Sequence, residues 1–322
     1  MKKLIRLVLA VSLTLGILTA CSNSSKETVY LKFPTASTTG AIYPIGAAIA
    51  NLWNENIEGL NVSVEASNGG VQNLNLLAEK EAQIGVAVTN IMTEQKNGTG
   101  VFEGKQYDGV RVLTALYSNY NQVVVSKDSG IETLRDIKGK NFAPGAPGST
   151  PEVETNIHLS AAGLVYPDDF KPQFVGFTES IDLIRNKQLD GAWLQSGIPT
   201  AAISEITSTA NGRLISIDED VIEKLTTDYP WYNRAIIPAG TYEGQDEDII
   251  TTSLVITIFV DESLPEETAY QMTKIFWENI DSLANTHNAI KGLKVETATQ
   301  NLAALPLHDG AAKYYKEVGI LE

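Results

Sequence analysis

The chain is short of the residues that staple folds, ligate metals or attack substrates. Its 322 residues include one cysteine, Cys21, and three histidines, His158, His287 and His308. A single thiol cannot form a disulfide within the chain. The histidines are far apart in sequence and no cysteine pair accompanies them, so neither a metal nor another cofactor is expected. Residues 246–248, Asp-Glu-Asp, read as a solvated loop rather than as ligands. There is no Gly-x-Ser-x-Gly elbow and no His-Glu-x-x-His pair. The glycine-rich stretch 145–150 lacks the lysine that a nucleotide loop places before its serine, here Ser149. Basic residues are scarce: 24 Lys and Arg against 39 Asp and Glu give a formal charge of −15. That balance disfavours nucleic acid and anionic lipid as partners.

Long hydrophobic runs are missing too, apart from one at the start. Residues 7–18 are apolar except for Ser12, Thr14 and Gly16, and they follow the basic Lys2, Lys3 and Arg6. A run of this length falls short of the about 20 residues that span a bilayer and has the length of a signal-peptide core. It ends Leu18, Thr19, Ala20, Cys21, which resembles the bacterial lipobox, whose cysteine is acylated and becomes the new N-terminus. Residues 1–20 are therefore expected to be a lipoprotein signal peptide, Cys21 the lipid-bearing residue, and the polar residues 21–27 a tether. Removing the leader takes away three basic residues and moves the charge from −15 to −18. The expected location is extracytoplasmic, anchored to the cell membrane.

From residue 29 onward strand and helix signals alternate. Strands are predicted at 29–33, 61–65 and 83–88, with helices over 42–53 and from Val71 through Ala78. Two strands, 110–117 and 122–126, flank the polar residues 118–121. Beyond them, strands are predicted at 140–143, 174–175, 191–194, 214–217 and 253–260. Helices are predicted from the 145–151 loop to about 162, over 179–185, after 195–199, and over 265–280. This alternation predicts an α/β fold of mostly parallel sheets flanked by helices. About 300 residues is twice a usual single core, so two lobes are expected. One comprises residues 28–122 plus 251–322 and the other residues 123–250. Two crossing segments would join them and leave a ligand cleft at the hinge.

The loops that follow the predicted strands share a composition. Ser37, Thr38, Thr39 and Gly40 form the first; Ser67, Asn68, Gly69 and Gly70 the second; Thr89 and Asn90 the third. Gly148, Ser149 and Thr150 form the fourth, Ser196 and Gly197 the fifth. In α/β folds such loops bind ligands. A helix N-terminus offers unpaired N–H groups and partial positive charge, so several aimed into one cleft hold an anion without arginine. Any one of these loops is equally an ordinary helix cap; the repetition points to a ligand. Tyr43 and Trp193 lie next to these loops and could stack on a solute or belong to the core.

Several segments, in order along the chain, resemble the TAXI family, the solute-binding subunits of one class of tripartite ATP-independent periplasmic (TRAP) transporters. Residues 38–46, Thr-Thr-Gly-Ala-Ile-Tyr-Pro-Ile-Gly, are similar to that family's first signature. Residues 66–74, 145–150, 190–193 with 197–199, 237–242 and 307–311 are similar to later ones. The resemblance implies a two-lobed periplasmic binding protein fold of type II character. It also implies hinge closure on a small solute and delivery to TRAP membrane permease subunits powered by an ion gradient, often sodium. Some members bind glutamate, glutamine or related dicarboxylates. The chain departs from the pattern at Thr39 and Ile42, where the family has glycine and tyrosine, and at Thr150, where it often has glycine. The residues expected around the solute are Thr39, Gly40, Tyr43, Ser67, Gly70, Asn90, Ser149, Thr150, Trp193 and Ser196, with no chemistry performed on it. Two alternatives use the same fold, the binding lipoprotein of an ABC importer and a sensor. A secreted hydrolase using Ser149 or Ser196 is the alternative of another class, and it lacks a paired base by motif.

Overall fold

The computed structural model describes residues 28–322. The leader, the lipidation expected at Cys21 and the tether over 21–27 lie outside the described residues. Strands Val29–Pro34 (β1) and Leu60–Glu65 (β2) pair in parallel around the helix Ile42–Asn56 (α1). Ile45, Ile49 and Trp53 recur every four residues, so α1 buries one stripe. The Trp53 indole N–H donates to the Met272 carbonyl at 2.9 Å, which ties the N-terminal helix to the C-terminal part of the chain. Helix Gly70–Ala78 (α2), strand Ile84–Val88 (β3) and helix Thr89–Asn97 (α3) follow. All five residues of β3 are buried, as in a strand covered on both faces.

The chain then leaves in one strand of 17 residues, Val110–Ser126 (β4), not in the two shorter strands predicted. The polar residues 118–121 stay extended because their backbone is paired throughout. Residues 118–120 face 253–255, and 120–125 face 191–196. Strands Asn141–Ala143 (β5), Lys171–Pro172 (β6), Gly191–Ser196 (β7), Gly212–Ile215 (β8) and Asn233–Ile237 (β9) follow. They alternate with helices Thr150–Ala161 (α4), Phe177–Arg185 (α5), Ala201–Thr209 (α6) and Glu219–Asp228 (α7). The strand predicted at 174–175 is absent, and the short pairing falls at Lys171–Pro172 instead. Strand Ile249–Asp261 (β10) returns, and helices Glu266–Glu278 (α8), Ile280–Leu283 (α9) and Asp309–Glu317 (α10) close the described chain. The helix predicted over 265–280 breaks at Asn279, whose φ of −118° and ψ of 15° leave the helical region.

The eight-stranded sheet runs β3-β10-β4-β7-β5-β6, with β8 on β4 and β9 on β10. Two strands therefore serve both lobes. β10 pairs with β9 through residues 249–253 and with β3 through 256–260. β4 pairs with β10 over 110–120 and with β7 and β8 over 120–126. The architecture is two-lobed α/β, but the sheet is mixed rather than mostly parallel. β4 enters the second lobe while β10 leaves it, so they run in opposite directions, and every pair that either makes with another named strand is antiparallel. β1–β2, β5–β6 and β5–β7 are parallel. The β1–β2 pair continues the sheet beside β3, where the Gln83 N–H donates to the Lys32 carbonyl at 3.4 Å.

Val124, Ala192 and Leu194 pack with Ile181, Ile184, Ile203 and Ile206 in a core of the second lobe. A larger core spans the first lobe and the other face of the second. The C-terminal motif, residues 307–311, belongs to this framework. His308 Nδ1 accepts from the Gly310 N–H at 3.2 Å, and its Nε2 lies 2.9 Å from the Leu264 carbonyl. Nδ1 accepts a backbone N–H and so carries no proton, which makes Nε2 the donor, and burial pushes the imidazole below its ordinary pKa. Among the described residues no helix is long and apolar enough to cross a membrane.

Candidate functional site

Four of the five loops meet around one cavity of about 340 Å³ between the lobes. The first lobe supplies residues 35–38, Gly40, Ile42 and residues 66–70. The second supplies Ala146, residues 149–151 and residues 176–179. Val86–Val88, Asn119, Gln195, Ser196 and Ile256 complete the lining from the strands. No lysine or arginine lines it, and Glu179 is its one charged residue.

The starts of α1, α2 and α5 lack a cap from their own N-cap side chain. Two of them are capped across the cleft. The Ala41 N–H donates to Ser196 Oγ at 3.0 Å, and the Val71 N–H donates to Thr150 Oγ1 at 3.3 Å. At the rim the Thr39 and Thr178 hydroxyls lie 3.4 Å apart, and the Ala202 N–H donates to the Thr39 carbonyl at 3.2 Å. The lobes are thus drawn together by bonds made at helix starts. Gly70 permits this approach: a Cβ there would lie 2.9 Å from Ala87 Cβ and 3.1 Å from Thr150 Oγ1. Helix α4 is capped conventionally, Ser149 Oγ accepting from the Glu152 N–H at 3.3 Å.

Beneath the cavity floor lies a buried polar cluster that joins the lobes. Glu154 of α4 accepts three bonds, from Asn90 Nδ2 at 3.0 Å, Asn121 Nδ2 at 3.1 Å and the Tyr232 hydroxyl at 2.9 Å. Burial drives its pKa up to about 7 against those three donors. His158, one turn along, is driven down to about 4 by burial. Its Nδ1 lies 2.7 Å from the Glu154 carbonyl, which can only accept, so Nδ1 carries the proton. Nε2 then accepts from Thr252 Oγ1 at 2.8 Å. Thr252 in turn accepts from Asn121 Nδ2 at 3.0 Å, and Asn121 Oδ1 accepts from the Trp193 indole at 3.1 Å. The donors and acceptors run in one consistent direction through the cluster, and Asn90 Oδ1 is left buried without a partner.

A family model described as the NMT1-like family matches residues 33–319. The chain belongs to that family. Solved structures similar to it include one from Bordetella bronchiseptica RB50, at 17% identity over 91% of this chain and 89% of that one, with a TM-score of 0.53. Another, from Streptococcus mutans, concerns glutathione import via GshT and the cystine ABC importer TcyBC. It matches at 11% identity over 82% and 95% of the two chains, with a TM-score of 0.51. The periplasmic aliphatic sulphonate binding protein SsuA from Escherichia coli matches at 15% identity over 91% and 94%, with a TM-score of 0.45. At these identities the likeness is one of fold.

In this NMT1-like chain six of the ten expected residues line the cavity: Gly40, Ser67, Gly70, Ser149, Thr150 and Ser196. Thr39 sits at the rim. Tyr43, on the first turn of α1, is half-buried outside the lining. Asn90 and Trp193 lie in the polar cluster below the floor, because β7 turns Trp193 onto His158, 4.7 Å between ring centres. Sequence reasoning missed Asn119, Thr178 and Glu154. Asn119 and Asn121 do alternate, as residues on one face of a strand must, and that was the available signal.

The serines are not paired with histidines. Ser149 and Ser196 accept backbone N–H bonds, and no histidine bonds to either among the described residues. Ser149→Ala is accordingly expected to behave as the loss of a cap, lowering stability by about 1 kcal/mol in urea unfolding. Loss of more than about 3 kcal/mol would contradict a capping role.

Proposed function

We propose that this NMT1-like protein captures a small organic solute outside the cytoplasmic membrane and delivers it to a TRAP permease, as a TAXI-type binding subunit. The observation that carries this reading is the cavity, enclosed by two lobes that touch through helix starts and are joined by two continuous strands. Its volume falls within the range of small-molecule sites. The N-terminus of α5, which no side chain caps and which lines the cavity, suits a carboxylate without a basic side chain. An amino acid such as glutamate or glutamine, or a dicarboxylate, is the solute class implied by the TAXI resemblance.

In this reading residues 28–122 with 251–322 form one moving body, residues 123–250 form the other, and β4 and β10 are the hinge. Solute bridging the two shifts the balance to the closed form by its higher affinity for that form. Lipid on Cys21 tethers the protein at the membrane.

Service to an ABC importer is the second reading, favoured by the fold likeness to the Streptococcus mutans structure, which concerns an ABC importer. A multi-span permease encoded beside this chain supports the first reading, and an ATPase supports the second.

A thermal-shift screen of residues 22–322 against amino acids, dicarboxylates, other organic acids and sugars tests solute capture. A solute at 100 times its dissociation constant is expected to stabilise the fold by about 2.7 kcal/mol. No shift with any class, from folded protein freed of co-purified solute, counts against capture.

A further inference from the structure

The hydroxyls that first draw the eye in the cleft are already engaged by the protein. Ser67 Oγ donates to Asn73 Oδ1 at 2.7 Å and accepts from the Gly69 N–H. Thr150, Ser149 and Ser196 each cap a backbone N–H. The amides around the cleft are engaged as well. Asn73 bonds through both ends, Asn121 makes three bonds, and Gln122 bonds to Thr200, Ser196 and Tyr242.

Two buried amides break the pattern; Asn68, the other lining amide whose side chain makes no bond, is exposed. Asn119 and Gln195 are 6% and 7% exposed, and both line the cavity. Neither side chain makes a hydrogen bond to any described residue, and Gln195 Nε2 is wholly occluded without a partner. They lie close on the floor: Gln195 faces Asn121 across the β4–β7 pair, and Asn119 is two residues along the same face of β4. Buried polar groups in folded proteins are almost always paired, and an unpaired one is costly. The other unpaired amide oxygens, on Asn90 and Gln95, belong to side chains already bonded through nitrogen and outside the cavity lining.

We propose that Asn119 and Gln195 read the polar head of the solute, and that this head is a carboxamide or another group presenting donors and acceptors together. The proposal rests on the solute-capture reading. Asn119 carries an NH₂ and a carbonyl, and rotation of the Gln195 amide brings either of its ends to the cavity, so a carboxamide head satisfies both kinds of group. A carboxylate, sulfonate or phosphate head only accepts, and would leave the Asn119 and Gln195 carbonyl oxygens facing other oxygens in a cavity with no cation to intervene. The uncapped start of α5 remains free to take a separate carboxylate on the same solute.

The test uses three matched pairs as probes: L-glutamine and L-glutamate, L-asparagine and L-aspartate, succinamate and succinate. Dissociation constants are measured by calorimetry on the wild type, Asn119→Leu and Gln195→Leu. Denaturant unfolding of the solute-free proteins runs alongside. The amide member of at least one pair is expected to bind the wild type about 10- to 100-fold tighter than its acid. Either substitution is expected to abolish that preference while leaving solute-free stability unchanged or raised, since each removes an unpaired buried group. Preference for the acid member in every pair that binds overturns the assigned head. Variants that bind as the wild type does overturn the assignment of the two residues, while capture itself stands. Variants destabilised without solute show the amides to be structural, which also overturns it. No binding of any probe or of the wider solute screen by the wild type overturns capture and this inference together.

Discussion

Glu154→Gln is expected to gain on the parent protein in stability by about 3 kcal/mol as pH rises from 4.5 to 7. Burial raises the Glu154 pKa from 4.5 to about 7. Between those values the native state keeps a proton that the unfolded chain has released. The unfolded state therefore binds fewer protons, and stability falls with rising pH across that window. Glutamine does not titrate, so the variant escapes the fall. It mimics the protonated acid: its carbonyl accepts from Asn121 and Tyr232, and its NH₂ faces Asn90. A flip of the Asn90 amide offers the oxygen that now has no partner.

His158 contributes with the opposite sign. Its pKa is lowered from 6.5 to about 4, so it is neutral in the fold where the unfolded chain is charged, and its contribution grows as pH rises through that interval. In the parent the two groups offset each other over most of the range, and the substitution exposes the histidine slope. Urea unfolding of both proteins at half-unit pH steps gives the difference directly. Parallel profiles would show that Glu154 is ionised throughout.

Gly310→Val is the other substitution with a large expected effect, a loss of more than about 4 kcal/mol. A Cβ at Gly310 would overlap the Glu266 carbonyl oxygen and lie 2.5 Å from the Tyr270 backbone nitrogen. Both are main-chain atoms of α8, so relief requires moving one helix off the other. Trp277 and Tyr315 are hydrogen-bonded across that same contact at 3.0 Å. Denaturant unfolding would reveal the loss as a lowered midpoint. A midpoint near that of the parent would mean that α10 docks with more slack than its geometry indicates. The outcome also bears on the motif at 307–311, whose glycine and histidine serve helix docking, far from the solute cavity.

Much of the cavity lining was legible in the sequence because strand-to-helix turns carry their chemistry locally. A run such as Ser67, Asn68, Gly69, Gly70 announces both a turn and a helix start, and the structure puts it at the cavity. Residues whose roles depend on distant partners were harder to read. Asn121 looks like part of a loop until Trp193, 72 positions on, and Thr252, 131 positions on, are brought beside it. Asn90 and Trp193 were placed in the site by nearness to its loops. Their side chains instead pass below the floor to satisfy Glu154 and Asn121. The mixed sheet was missed for a related reason, since local alternation of strand and helix says nothing about the direction of a strand that comes back.

The returning strand also sets a schedule for synthesis. β3 has one partner in the eight-stranded sheet, β10, and Thr257 bonds to Ala87 across 170 positions. Residues 120–253 can assemble their own pairings as soon as they emerge. The earlier-made lobe must wait, with the edge of β3 open, until almost four-fifths of the chain has been translated. Unfinished edges of this kind are where nascent chains pair wrongly or meet chaperones. The part of the protein made first is therefore among the last to finish folding.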